Sequence, residues 1–298
     1  MEKRFGIIGD PVTGSLSPLL FGAAYGGKYG YDLIEGADFD ASWEKFLREY
    51  DGVNVTAPFK EKACLRADAV TDGVRQIGAA NLAVKTEKGI EAHNTDFSGI
   101  ILSCAAALSG SGDGVPELAA GTARQALVYV RDRIGRLYRG RRPAALIAGC
   151  GGAGRAAAMA AAEMGYATTL MNRTVEKAAA IASDMAGYGF SVEPIENFRE
   201  AVRRSDLIIY TVPSAIDGIE QLEALDLAGK SGCGGPCKLL LEANYKNPVF
   251  PEILRRADAG PYCRYISGKS WLLYQAAAGY GTLVGEAPDF AAMRNALF

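Results

Sequence analysis

The chain has 298 residues, of which 49% are hydrophobic and 22% charged, and this is the composition of an ordinary globular protein with one large domain or two modest ones. A formal net charge of −2 gives no general basis for binding nucleic acid or a membrane surface, and we expect neither partner. No apolar run approaches the ~20 residues of a membrane span, and the N-terminus lacks the apolar core of a signal peptide.

Six cysteines are scattered along the chain, which is typical of reduced thiols and predicts a cytoplasmic protein. The close pair Cys233 and Cys237 lacks a second pair or a nearby histidine, so a surface loop is favoured over a zinc or redox site. His93 is the only histidine, and we predict no metal site and at most a minor acid–base role for it.

The chain begins with a predicted strand at 4–8 and a loop dense in turn residues and hydroxyls. A helix is predicted to begin near Pro18, which places Ser15 and Ser17 beside its N-terminus. These serines either bind the carboxylate of a ligand or one of them caps the helix, and their spacing leaves both alternatives open.

Asn54 and Thr56 share one face of a predicted strand that ends at Pro58, and Lys60 opens the helix after it. Open α/β sheets place their chemistry at the carboxyl ends of strands, so Lys60 is either catalytic or, like most lysines, solvated and inert. Before the strand that carries Asn54, we predict a strand at 31–36 and a helix at 41–50.

Asn81 lies in a turn before the next predicted strand, and a hairpin at 87–89 follows. Asp96 stands in a polar cluster just before an apolar helix predicted from Ile100. It either caps that helix or forms half of a lysine–aspartate pair.

A glycine turn separates a predicted strand at 144–148 from an alanine-rich helix, and its glycines fit the G-x-G-x-x-G spacing. Gly149 allows the tight turn, Gly151 lets the backbone approach a pyrophosphate, and Gly154 lets the helix pack against the strand. The helix N-terminus would then direct its free N–H groups at the phosphates. The predicted cofactor-binding residues here are Gly149, Gly151, Gly152, Ala153 and Gly154.

The strand predicted at 166–171 ends in Asn172, Arg173 and Thr174, where an NAD site would carry a carboxylate. A planar cation such as Arg173 suits a 2′-phosphate instead, so the sequence predicts NADP. The alternative is a glycine turn of some other α/β protein with Arg173 merely solvated. Further strands alternate with helices up to residue 243, which predicts a doubly wound parallel sheet.

Several motifs in a fixed order resemble the shikimate 5-dehydrogenase family over nearly the whole chain. They are Gly9-x-Pro11 with Ser15-x-Ser17-Pro18, Asn54-Val55-Thr56-x-Pro58-Phe59-Lys60, Gly78-Ala79-Ala80-Asn81, Asn94-Thr95-Asp96, and the Gly149 turn with Asn172-Arg173-Thr174. The resemblance implies an α/β fold with two domains: an α/β substrate-binding domain at 1–98 plus 269–298, and a Rossmann-like doubly wound parallel-sheet NADP domain at 99–268.

The implied activity is the NADP-dependent reduction of 3-dehydroshikimate to shikimate in chorismate biosynthesis, by a monomer or homodimer. Lys60 and Asp96 would handle the proton, with Asp96 orienting Lys60 and favouring its ammonium form. Two alternatives stay open: a quinate/shikimate dehydrogenase that uses NAD or NADP, and a non-catalytic NADP-binding homologue. The resemblance further implies substrate binding by Ser15, Ser17, Asn54, Thr56, Asn81, Tyr245 and Gln275, and cofactor binding by Asn172, Arg173, Thr174, Thr211 and Gly268.

The chain departs from the family pattern in three places. Gly14 replaces a usual histidine, and Glu242 replaces the usual aspartate before Tyr245, where Asn247 adds a residue. The third departure is an insertion at about 105–142, predicted as a flexible loop and a helix with an apolar stripe and many arginines. That helix either packs on the NADP domain or forms a dimer contact or anion site.

Overall fold

The structure, a computed structural model, describes residues 3–109, 123–228 and 236–298. The chain divides into two compact units, which are Met1–Gly99 with Leu272–Phe298, and Ile100–Trp271. Each unit has its own six-stranded sheet with helices, which confirms the predicted α/β class with two domains. Among the described residues there is no helix of the length and apolarity needed to cross a membrane.

The first unit contains a mixed sheet with the strand order β2-β1-β3-β5-β6-β4. Its strands are β1 (Arg4–Gly9), β2 (Gly30–Glu35), β3 (Gly52–Val55), β4 (Ala69–Val70), β5 (Leu82–Thr86) and β6 (Gly89–His93). Strands β1, β2 and β3 are parallel, whereas β5 runs antiparallel to β3 and β6. The carboxyl ends of β1 and β3 therefore meet at one edge, where the loops that carry Ser15 and Lys60 begin.

Helices cover both faces of this sheet. They are α1 (Ser17–Ala24), α2 (Phe39–Glu49), α3 (Lys60–Arg66), α4 (Asp72–Ile77) and α13 (Phe290–Leu297), while α5 (Asp96–Ser109) and α12 (Gly268–Val284) have residues in both units. One core contains Trp43 and Phe46 of α2 with Phe59, and a second contains Phe21 of α1 with Tyr280 of α12. Because helices bury both faces of the sheet, its polar side chains lie at the edge where β1 and β3 end.

The second unit contains a parallel sheet with the strand order β12-β11-β10-β7-β8-β9. Its strands are β7 (Ala144–Ala148), β8 (Ala167–Asn172), β9 (Ser191–Pro194), β10 (Leu207–Tyr210), β11 (Lys238–Glu242) and β12 (Cys263–Ser267). Its helices are α6 (Ala123–Leu137), α7 (Gly152–Glu163), α8 (Val175–Asp184), α9 (Phe198–Arg204), α10 (Ala224–Leu227) and α11 (Phe250–Arg256). The order reverses between β7 and β10, and ligands of doubly wound sheets bind beside that position.

The inserted helix α6 packs on the second unit, as the first of its two interpretations expects. Val130 and Ile134 are buried, and Arg131 forms an ion pair of 2.6 Å with Glu163 of α7. The predicted loop at 109–114 and the first part of the predicted helix lie largely outside the described residues. The contacts assign α6 a packing role, and its role in a dimer stays a prediction.

Several predicted element bounds were wrong, and three of them bear on the site. Strand β3 ends at Val55 rather than at Pro58, α5 begins at Asp96 rather than at Ile100, and α7 begins at Gly152 rather than at Arg155. At the two helix starts, polar or glycine residues that are typical of loops enter the first helical turn, where N–H groups need no partner within the helix. At α5, the Asn94 side chain accepts a hydrogen bond from Phe97 N and so starts the helix early.

Candidate active site

Lys60 and Asp96 form an ion pair, with 2.6 Å between Lys60 Nζ and Asp96 Oδ2. Both residues begin helices, α3 and α5, and their side chains are 12% and 7% exposed. Among the described residues Asp96 is the partner that the structure gives Lys60 Nζ, so two of its three N–H bonds remain for a ligand. The pair that the sequence left as one of two alternatives for Asp96 is therefore confirmed.

Asn81, Thr95 and Gln275 form a hydrogen-bond network, and Thr95 adjoins Asp96 of this pair in the chain. Asn81 Nδ2 donates to Gln275 Oε1 at 3.0 Å and to Thr95 Oγ1 at 3.1 Å, and Thr95 N donates to Asn81 Oδ1 at 2.8 Å. Asn81 is 3% exposed and Thr95 8%. The contribution of Thr95 was missed from the sequence, although Thr95 stands inside the Asn-Thr-Asp motif.

Asn54 supports this network through the backbone of Asn81. Its Oδ1 accepts from Tyr31 Oη at 2.7 Å, and its Nδ2 donates to the carbonyl oxygen of Asn81 at 3.3 Å. Thr56 lies two residues further, half-buried, with its backbone tied to Ile8 at the end of β1. Asn54 and Thr56 thus both lie at the sheet edge, and the Asn54 side-chain amide is hydrogen-bonded to Tyr31 and Asn81.

Ser15 and Ser17 lie side by side at the start of α1, with 3.1 Å between their hydroxyl oxygens. The N-cap residue is Leu16, so the alternative that a serine is the N-cap is wrong, although Ser15 Oγ accepts a hydrogen bond from Ser17 N at 3.2 Å. Gly14 has a φ of 75°, a conformation that glycine adopts without strain and histidine does not. The Glu35 carboxylate accepts hydrogen bonds from the backbone N–H groups of Val12 and Thr13 and so holds the loop before Ser15 in place.

The glycine turn of the second unit has the geometry that its spacing predicts. Gly149 has a φ of 101°, and a Cβ on Gly154 would lie 2.0 Å from the carbonyl oxygen of Gly149. A Cβ on Gly151 would meet nothing within 4 Å, so open space faces this first turn of α7. Thr211 Oγ1 bonds to the carbonyl oxygens of Ala148 and Gly149 and joins β10 to the turn.

The residues after β8 flank the same turn. Asn172 Oδ1 accepts from Cys150 N at 3.1 Å, and Asn172 Nδ2 donates to the carbonyl oxygen of Thr174. Arg173 is exposed, and no described residue forms an ion pair with it. Thr174 is the N-cap residue of α8, although its side chain makes no capping bond. The open space at the glycine turn fits the pyrophosphate of NADP, and the exposed guanidinium of Arg173 fits its 2′-phosphate.

Comparison with known proteins assigns the family. The model of the shikimate dehydrogenase substrate binding domain matches residues 7–83, and that of shikimate / quinate 5-dehydrogenase matches residues 136–226. The shikimate dehydrogenase (NADP(+)) of Aeropyrum pernix is 30% identical over 290 residues, which covers 95% of this chain and 92% of that protein. The chain belongs to the shikimate dehydrogenase family.

Further relatives agree over the full length. The shikimate dehydrogenase (NADP(+)) of Acidiphilium cryptum is 32% identical over 289 residues, covering 95% of this chain and 91% of its own. The crystal structure of shikimate 5-dehydrogenase from Thermus thermophilus in complex with NADP(H) and shikimate is 26% identical, with a TM-score of 0.69 over 99% of this chain and 98% of that one.

Glu242, one of the departures from the family pattern, has several hydrogen-bond partners. Glu242 is fully buried at the end of β11, and its carboxylate accepts from Val249 N and Phe250 N at the start of α11 and from Tyr265 Oη. Burial raises the pKa of Glu242 above its usual value. Glu242 thereby joins the end of β11 to the start of α11.

Tyr245, predicted to bind substrate, and Gly268, predicted to bind cofactor, lie in the second unit, whereas the other predicted substrate residues belong to the first. Tyr245 is half-buried in the loop after β11. A Cβ on Gly268 would lie 2.3 Å from the carbonyl oxygen of Ala243, so the glycine lets the start of α12 approach that loop. The roles of Tyr245, Thr211 and Gly268 in binding stay predictions.

The described cysteines and histidine add no second site. Burial raises the pKa of Cys104, Cys150 and Cys263 to about 12, which keeps these thiols protonated. Burial lowers the pKa of His93, whose Nε2 lies 3.4 Å from Glu91. Residues 3–109, 123–228 and 236–298 hold no cluster that suits a metal ion, and Cys233 lies outside them.

Proposed function

We propose that the protein catalyses the NADP-dependent reduction of 3-dehydroshikimate to shikimate, a step of chorismate biosynthesis, and that it acts in the cytoplasm. The observation that carries the proposal is the ion pair of 2.6 Å between Lys60 and Asp96, together with the Asn81–Gln275 network. Family membership supports the activity, because the relatives named above are NADP-dependent shikimate dehydrogenases. The free state of the five described cysteines supports a reducing compartment.

Substrate binding is assigned to the polar edge of the first sheet. The hydroxyls of Ser15 and Ser17 at the N-terminus of α1 would bind the carboxylate, where the helix dipole favours negative charge. Asn81, Gln275 and Thr56 would hold the ring hydroxyls, with Asn54 fixing the backbone of Asn81.

Lys60 provides the proton chemistry. Bound NADPH supplies the hydride to the ketone carbon of the substrate. The ketone oxygen gains negative charge as the carbon is reduced, and the ammonium of Lys60 stabilises this charge and donates a proton to it. Asp96 holds Lys60 Nζ through one N–H bond and directs the other two away from itself.

Cofactor binding is assigned to the glycine turn and to the end of β8. The N–H groups at the N-terminus of α7, from its N-cap residue Gly151 to Gly154, would bind the pyrophosphate. Arg173 would pair with the 2′-phosphate, which favours NADP over NAD.

A turnover assay tests the proposal. The purified protein is mixed with shikimate and NADP, and separately with quinate and NAD, while the absorbance of the reduced nicotinamide is followed. We expect rapid reduction of NADP with shikimate. Faster turnover of quinate with NAD would assign the protein to the quinate-oxidising branch, and NADP binding without any turnover would identify a non-catalytic homologue.

A further inference from the structure

The Thr95 backbone fixes the orientation of two side-chain amides. An N–H group can only donate, so the Asn81 atom that lies 2.8 Å from Thr95 N must be the amide oxygen. Asn81 Nδ2 then faces Gln275, and the Gln275 atom at 3.0 Å must in turn be Oε1. A main-chain group in the connection from β6 to α5 therefore determines which end of Gln275 points into the network.

The Thr95 hydroxyl completes this arrangement. It accepts a hydrogen bond from Asn81 Nδ2 at 3.1 Å, and its one hydrogen has two acceptors within reach, of which Gln275 Oε1 at 3.1 Å is nearer than Asn81 Oδ1 at 3.3 Å. Two donors thus converge on the oxygen of Gln275. Its Nε2, with two hydrogens, is turned away from them, and no residue in the described ranges accepts a hydrogen bond from it.

We propose that Thr95 is a positioning residue that holds the Gln275 amide with its nitrogen as the donor to a substrate oxygen. This inference rests on the proposed function, in which Gln275 contacts the substrate. A donor fixed in this way favours an oxygen that can accept, such as a ring hydroxyl, at the position it faces. A Gln275 amide that could rotate would present either its oxygen or its nitrogen to the substrate and would no longer favour an accepting oxygen.

Close packing of α12 against Thr95 supports the assignment. Gly279 lies one helical turn after Gln275, on the same face. A Cβ on Gly279 would lie 3.1 Å from Thr95 Cγ2 and 3.3 Å from Thr95 Oγ1, closer than side chains normally approach. Glycine at this position lets the helix reach the hydroxyl.

The matched variants Thr95→Val and Thr95→Ser test the hydroxyl, because valine keeps the shape and serine keeps the oxygen. For Thr95→Val we expect KM for shikimate to rise about tenfold, the effect of one lost hydrogen bond in a buried network, with KM for NADP unchanged and kcat little affected. Thr95→Ser should stay close to the wild type. Gly279→Ala should also raise KM for shikimate, because the added Cβ would displace the Thr95 side chain.

A double-mutant cycle tests whether Thr95 acts through Gln275. In the Gln275→Ala background, Thr95→Val should change KM for shikimate by less than about twofold, since the coupled partner is already absent. An unchanged KM in the single variants Thr95→Val and Gly279→Ala would overturn the proposal. An equal rise of KM for shikimate in Thr95→Val and Thr95→Ser would also overturn it. The same holds if Thr95→Val changes KM as much in the Gln275→Ala background as in the wild type.

A readout without substrate keeps this inference separate from the proposed function. The NMR order parameter of the Gln275 side-chain nitrogen should fall in Thr95→Val and remain high in Thr95→Ser. Inactivity of the wild type with shikimate, combined with this fall, would refute the proposed reaction and leave the positioning intact. An unchanged order parameter in Thr95→Val would refute the positioning whatever the activity.

Discussion

Replacing Lys60 by methionine tests the pair on which the proposed chemistry depends. The change keeps an unbranched side chain that is one atom shorter and leaves the Asp96 carboxylate without the ammonium group that lies 2.6 Å away. Breaking a buried ion pair by removing one partner costs about 3–5 kcal/mol of stability. Because the two side chains keep 12% and 7% exposure to water, we expect the lower end of this range, about 3 kcal/mol.

Turnover should fall as well, because the variant lacks the proton donor. A positioned proton donor contributes about 10²–10⁴-fold to such a reaction, so kcat of Lys60→Met should fall by at least about 100-fold. KM for NADP should not change, because the cofactor residues lie in the second unit.

The double variant Lys60→Met with Asp96→Asn separates stability from catalysis. It carries no unpaired buried charge, so most of the lost stability should return while kcat remains low. Urea unfolding gives the free energy of unfolding, and absorbance of the reduced nicotinamide gives kcat. A kcat of Lys60→Met within about twofold of the wild type would refute the role of lysine, and a double variant as unstable as the single one would refute the charge argument.

Three further predictions concern the cofactor turn and the buried acid. Arg173→Asp should raise KM for NADP at least about tenfold and leave KM for NAD no higher, since a charged hydrogen bond of about 1.5–3 kcal/mol is lost; steady-state kinetics with both cofactors decide this. Gly154→Ala should destabilise the protein, because its Cβ would lie 2.0 Å from a carbonyl oxygen, whereas Gly151→Ala should unfold like the wild type in urea and yet weaken NADP binding in titrations. Burial raises the pKa of Glu242 above its usual 4.5, so its contribution to stability is present at low pH and is lost as pH rises through the raised pKa. The free energy of unfolding of the wild type minus that of Glu242→Gln should therefore fall as pH rises from about 4.5, and a constant difference would contradict this.

Local patterns predicted a large part of the fold and of the candidate site. Lys60 was placed at the start of a helix and Gly149 in a tight turn, because strand alternation and glycine spacing are visible within a few residues. Helix starts were less well predicted. Asp96 enters α5 because the Asn94 side chain bonds Phe97 N, and the sequence alone does not reveal which of several polar residues will do so.

The sequence by itself determined the α/β class and the cofactor turn, since these depend on side-chain periodicity and on backbone freedom at single positions. The roles of Lys60 and Asp96 were implied by the resemblance to the family, because periodicity alone does not separate a catalytic lysine from a solvated one. Only the tertiary structure decided which of these residues meet. Gln275 bonds Asn81 across 194 positions of the chain and Thr95 across 180, because α12 packs against the first sheet through Gly279. Such contacts depend on how distant elements fill space together, which no local pattern encodes.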